Sequence, residues 1–159
     1  MSGEFTAAEI AELGIQIEKN GFEFYSKLAD KTKEESLKEV FRYLASEEKS
    51  HIAAFQKIHD SSRSYDSAEL YPDDYFAYMK DLASEHVFSQ IGAGLEAADH
   101  IQSDIEGIDL ALRFENESIK FFEAMKKIVK ETEASIVDKL IAEENRHIEK
   151  LNLLKSTYL

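Results

Sequence analysis

Glu47-Glu48-Lys49-Ser50-His51 is set among the apolar residues Val40, Leu44, Phe55 and Ile58. On a helix, residues three or four apart share a face. The series 40, 44, 48, 51, 55, 58 is a seam alternating by four and three, the spacing of a core-facing stripe. Glu48 and His51 therefore stand where Leu or Ile would be expected. Burying an unpaired carboxylate costs roughly several kcal/mol, so the fold must contain something that compensates it.

The arrangement occurs twice. Val137, Leu140, Glu144, His147, Leu151 and Leu154 keep the same rhythm around Glu143-Glu144-Asn145-Arg146-His147. Each pair also has a partner upstream. Ile17-Glu18-Lys19-Asn20-Gly21-Phe22-Glu23-Phe24-Tyr25 aligns with Phe114-Glu115-Asn116-Glu117-Ser118-Ile119-Lys120-Phe121-Phe122. Both halves read as a helical hairpin with Glu on its first helix and Glu-x-x-His on its second. Facing each other about a pseudo-twofold axis, they would bring four Glu and two His to one level of the core.

The bulk composition agrees with long helices. One proline and six glycines in 159 residues leave long stretches without a breaker. The length suits one domain with a core of its own. A net charge of -13 offers no basic stripe for phosphates, which argues against nucleic acid and suits a protein that attracts cations. Without cysteine there can be no disulfide, thiolate zinc site, iron-sulfur cluster or thiol nucleophile. Residues 1–10 have no basic and apolar leader pattern, and no apolar run approaches about 18 residues. The expectation is a cytoplasmic protein that engages neither membrane nor nucleic acid.

The spacing predicts helices over about 6–31, 33–60, 104–130 and 133–155. The first, second and third open at capping boxes, Thr6 to Glu9, Thr32 to Glu35 and Ser103 to Glu106. The first carries Ile10, Leu13, Ile17, Phe24 and Leu28, with Gly14 and Gly21 expected to make room beside Glu18. The third carries Ile108, Leu112, Glu115, Ile119, Phe122, Met125 and Val129. Short connections make each pair antiparallel neighbours. Residues 61–103 read as a long crossover, broken at Ser61-Ser62-Arg63-Ser64. It holds one short helix starting at Tyr71-Pro72-Asp73-Asp74, then an interruption at Gly92-Ala93-Gly94. Its aromatics (Tyr65, Tyr71, Tyr75, Phe76, Tyr78, Phe88) suit covering a bundle side or a dimer interface.

Four carboxylates match the charge of two divalent metals, and oxygen-rich ligation with one imidazole each suits iron or manganese. The competing reading is a layer of buried polar groups bonded to one another, although a lone Glu-x-x-His is common on solvated helices. Each imidazole needs an acceptor for its second nitrogen, which the pattern does not identify. Glu47 and Glu143, about 100° from their neighbours, read as solvated. His59, His86 and His100 fall outside the repeat and read as surface or crossover residues. Tyr25, two turns beyond Glu18, suits a hydrogen bond to a ligand carboxylate, an electron path or simple packing. Its counterpart is Phe122.

This constellation, Glu18, Glu48-x-x-His51, Glu115 and Glu144-x-x-His147, resembles the ferritin-like di-iron carboxylate proteins, and the short chain is most similar to the rubrerythrin-like group. The resemblance covers roughly residues 6–60 and 103–156. It implies an all-α, ferritin-like four-helix bundle in which these six residues hold two iron ions, with manganese or zinc as alternatives. Glu48 and Glu144 would bridge, and Glu18 and Glu115 would be terminal. It further implies an oxidoreductase that reduces hydrogen peroxide or reacts with dioxygen, and a homodimer is expected. An iron-binding ferroxidase without a dedicated reductase, or a manganese catalase-like enzyme, would share the ligand set. Two departures stand out. Rubrerythrins carry a rubredoxin-like segment with paired Cys-x-x-Cys motifs, so electrons here would come from a separate protein. They also usually carry a further Glu three residues after the third-helix Glu, where this chain has Ser118, and the redox-linked ligand exchange tied to that residue is not implied.

Overall fold

The computed structural model describes residues 7–62 and 73–158. Among them are six helices and no strand: α1 (Ala7–Lys31), α2 (Glu35–Ser62), α3 (Asp73–Glu85), α4 (Ala93–His100), α5 (Asp104–Lys126) and α6 (Glu131–Ser156). The four long ones are α1, α2, α5 and α6. α1 pairs with α2 and α5 with α6, and the two hairpins meet along α1–α5 and α2–α6. Ile10, Ile17, Phe24, Leu28, Leu44, Phe55 and Ile58 are buried in the first hairpin, and Ile108, Phe122, Met125, Val137, Leu140 and Leu151 in the second. No helix among the described residues is long and apolar enough to cross a membrane. Thr6, Arg63, Ser64, Tyr65, Tyr71 and Pro72, to which caps, breaks or packing roles were assigned above, lie outside the described residues.

Helix ends depart from the sequence reading for local reasons. Thr32 is buried in the connection and its Oγ1 accepts from Glu34 N–H at 3.3 Å, so α2 starts at Glu35 instead of 33. Ser103 does cap α5, accepting from Glu106 N–H at 3.3 Å, while the Glu106 carboxylate takes the Gln102 N–H at 2.9 Å. α5 stops at Lys126, earlier than 130, because Ile128 and Val129 turn inward. α6 begins at Glu131, two residues earlier than expected, with Glu131 and Glu133 at its positive end.

The crossover differs more. Gly92-Ala93-Gly94 does not merely interrupt it but starts a second short helix, α4. Gly92 takes a left-handed backbone (φ 80°) that glycine adopts without penalty. At Gly94 the crossover presses onto α1: a Cβ there would lie 2.0 Å from the carbonyl oxygen of Asn20. Asn20, fully buried, donates from Nδ2 to the carbonyls of Phe88 and Gln90, both at 2.7 Å, and accepts from Gly94 N–H at 3.3 Å. It satisfies three backbone groups that would otherwise be stranded against the bundle. Phe88 is buried between Phe24 and Phe114, each 4.9 Å away between ring centres. Tyr75 donates to the Ala124 carbonyl, whereas Tyr78 is exposed.

His86 is the second anchor. Its Nδ1 accepts from Phe88 N–H at 3.0 Å, which leaves the proton on Nε2 to donate to Ser118 Oγ at 3.0 Å. This packing explains the α5 face. Phe114, Ser118 and Phe121 are buried under the crossover, while Leu112 and Ile119, expected in the seam, are only half-buried.

Two outcomes follow for stability. Gly94→Ala should lower the unfolding free energy by about 1–3 kcal/mol, because neither backbone can yield without moving a helix; urea titration reads it. Burial lowers the pKa of His86 from 6.5 to about 4, outweighing the Glu117 carboxylate 4.0 Å from Nδ1 and the more distant Glu144. The unfolded chain therefore takes up this proton first as pH falls. The stability His86 contributes is complete above about pH 6.5 and is lost towards pH 4. The difference in unfolding free energy between wild type and His86→Asn should shrink across that window; a constant difference would contradict it.

Candidate metal centre

Glu18 on α1, Glu48 and His51 on α2, Glu115 on α5, and Glu144 and His147 on α6 meet in the middle of the bundle, every one of them at most 1% exposed. Their ligating atoms form two groups, each within 4.8 Å across: Glu18, Glu48, His51 and Glu144, and Glu48, Glu115, Glu144 and His147. Glu48 and Glu144 belong to both. The imidazoles stack with ring centres 5.7 Å apart, and each turns Nδ1 to the carboxylates. His51 Nδ1 lies 2.7 Å from Glu144 and 3.4 Å from Glu18; His147 Nδ1 lies 3.3 Å from Glu115 and 3.4 Å from Glu144.

These close approaches fall outside ordinary hydrogen-bond geometry. Both oxygens of Glu18, Glu48 and Glu144, one of Glu115, and Nδ1 of both histidines have no partner in hydrogen-bond geometry. Among the described residues, every buried side-chain nitrogen or oxygen without a partner belongs to these six residues. Folded proteins rarely leave such groups unsatisfied, and each costs about 1–3 kcal/mol. Without a cation, protons alone could balance the charge. Burial pushes Glu18 and Glu48 well above the ordinary carboxylate range, reinforced by repulsion from Glu144. Burial acts to lower the histidines, but Glu144 and Glu48 outweigh it and raise His51 to about 9 and His147 to about 10.

The pattern that pointed to these residues missed their supports. Glu143 and Glu47 are half-buried and turned towards the histidines. The Glu143 side chain is 17% exposed and its Oε2 sits 2.8 Å from His51 Nε2; the Glu47 side chain is 29% exposed and its Oε2 lies 3.8 Å from His147 Nε2. Each therefore backs the histidine of the other hairpin. A rotation of 100° leads from the core to the α2–α6 boundary, not to water. Their occurrence at matching places in both repeats was the available signal. Tyr25 donates to Glu115 Oε1 at 2.6 Å, and burial, with repulsion from Glu48, raises its pKa so that it stays a phenol.

The glycines serve neighbours other than Glu18. A Cβ on Gly21 would fall 2.5 Å from the Phe114 ring and 3.3 Å from Glu48 Oε2, and one on Gly14 3.0 Å from Phe55. His59, read as a surface residue, is 8% exposed and paired with Glu12 at 3.0 Å. His86 is buried in the crossover and His100 is exposed. None of the three joins the cluster.

The sequence profile of the rubrerythrin family matches residues 9–155. This chain belongs to the rubrerythrin family. Rubrerythrins are non-haem di-iron carboxylate proteins. The chain also superposes along its whole length on a candidate ferritin-like diiron-carboxylate protein from Thermotoga maritima. The TM-score is 0.72 at 20% identity, with all of both chains covered. That likeness establishes a ferritin-like all-α bundle. No curated protein matches the sequence.

The donor set suits iron. It is rich in hard oxygen, carries one imidazole per group, and its four carboxylates balance two divalent ions. Glu18→Leu separates this from a structural polar layer. With metal stripped, the variant should unfold at the same urea concentration as wild type or higher, gaining up to about 4 kcal/mol by removing an unpaired buried acid. A loss of stability would show that Glu18 is held by protein partners.

Proposed function

We propose that this rubrerythrin-family chain holds two iron ions between Glu18, Glu48, His51, Glu115, Glu144 and His147. It would act as a non-haem di-iron oxidoreductase that reduces hydrogen peroxide or reacts with dioxygen. The observation that carries the reading is the set of unpartnered donors gathered at one level, the one place among the described residues where buried side-chain polar atoms lack partners. Two ferrous ions held there would supply a pair of electrons to a small oxidant. Glu48 and Glu144, which belong to both donor groups, would be shared between the ions, while Glu18 and Glu115 would each serve one.

The remaining residues control orientation, water and protons. Glu143 accepts the Nε2 proton of His51 and so presents Nδ1 to the centre. Tyr25 fixes the rotamer of Glu115 through its hydroxyl and keeps a proton on that oxygen atom, next to the site. Ile17, Leu44, Phe55, Phe114 and Phe122 wall the layer with apolar surface and exclude bulk water. This chain has no cysteine, and re-reduction is assigned to an electron donor outside this bundle.

One feature favours a second reading, an iron-handling ferroxidase. The residue one turn beyond Glu115 is Ser118, whose hydroxyl receives the His86 proton, so that position supplies no further carboxylate. A manganese catalase-like enzyme shares the donors and differs in metal content and in releasing oxygen from peroxide.

Anaerobic ferrous loading followed by rapid mixing decides among these. The protein should bind two irons per chain, one per donor group, and be oxidised faster by peroxide than by dioxygen. The reverse preference would favour the ferroxidase. Oxidation no faster than that of free ferrous ion would remove the redox role. Glu144→Ala, which deletes a donor from both groups, should abolish binding of the pair, read as iron per chain by elemental analysis.

A further inference from the structure

We infer that the two metal positions are unequal, and that a divalent cation fills the Glu18–His51 position before the Glu115–His147 position. This rests on the dimetal reading and adds an order to it. The repeat supplies both positions with the same donor types, one terminal carboxylate, one imidazole and two shared carboxylates. Any difference must therefore come from what stands behind the donors.

Two independent contacts differ, and both act in one direction. Behind His51, Glu143 Oε2 lies 2.8 Å from Nε2, in hydrogen-bond geometry. Behind His147, Glu47 Oε2 is 3.8 Å from Nε2, and this buried nitrogen has no partner. A carboxylate accepting the distal proton holds the ring in place and makes Nδ1 more basic; losing such a partner lowers metal affinity about 10–100-fold. The second contact concerns the terminal acids. Tyr25 donates at 2.6 Å to Glu115 Oε1, drawing charge from that carboxylate and leaving only Oε2 without a partner. At the matching place in the other repeat stands Phe122, which has no hydroxyl, and neither oxygen of Glu18 has a partner in hydrogen-bond geometry. Position one thus has the stronger imidazole and the unencumbered carboxylate.

Calorimetric titration of the metal-stripped chain with Co(II) tests the order without reference to turnover. Wild type should take up two ions in two steps, the first about tenfold tighter or more. Glu18→Ala should lose the tight step and keep the weak one; Glu115→Ala should do the opposite. Glu143→Gln should weaken the tight step roughly 10–100-fold. Tyr25→Phe, which removes only the hydroxyl, should tighten the weak step and narrow the gap. Two equal steps in wild type, or loss of the tight step in Glu115→Ala, would overturn the order and leave the dimetal reading standing. No uptake by wild type would overturn the dimetal reading itself.

Discussion

Everything else in the molecule accommodates four carboxylates and two imidazoles that have been taken out of water with most of their polar atoms left without a hydrogen-bond partner. Hydrophobic burial holds the helices around them, yet the layer they form opposes folding. An isolated charge in a low-dielectric interior costs far more than any one apolar contact returns. The observed solution concentrates the cost at one level. Above and below it the core is aliphatic and aromatic, and among the described residues the buried side-chain polar atoms away from that level have partners. Stability is given up at one place, which is the usual mark of a site retained for chemistry.

The crossover is part of this economy. Asn20 lies two residues from Glu18, and Ser118 three from Glu115, so the anchors of residues 86–94 grip the same turns of α1 and α5 that present the terminal acids. Phe88 and Phe114 then close the α1–α5 side with rings packed at a tilt. The α2–α6 side is closed differently, by Glu47 and Glu143, each half-buried and each aimed at the opposite hairpin's histidine. One side of the centre is sealed and apolar; the other is polar and reaches towards solvent.

Most of this was legible where a residue broke a rule. Glu48, His51, Glu144 and His147 interrupt apolar seams, and Glu18 and Glu115 are identified by the repeat. Their meeting in space follows from hairpin geometry. Glu47 and Glu143 were misread because a helical angle locates a face without saying what neighbour lies there. The α4 helix was missed because two glycines suggest a break. In fact Gly92 starts the helix and Gly94 allows it to touch α1. Asn20 carried no local signal, since an asparagine inside a helix is ordinarily a surface residue. Its importance depends on residues some seventy positions away. Pairwise tertiary contacts of that kind have no period, and only the fold reveals them.

The most direct measurement is anomalous diffraction at the iron edge from crystals grown after ferrous loading. Two peaks about 3.5–4 Å apart are predicted on the Nδ1 side of the two histidines, among the four carboxylates. One should touch Glu18 and His51, the other Glu115 and His147, and both should touch Glu48 and Glu144. Peaks confined to the acidic surface, with the six side chains bonded only to one another, would contradict the claim that cations are what make this core tolerable.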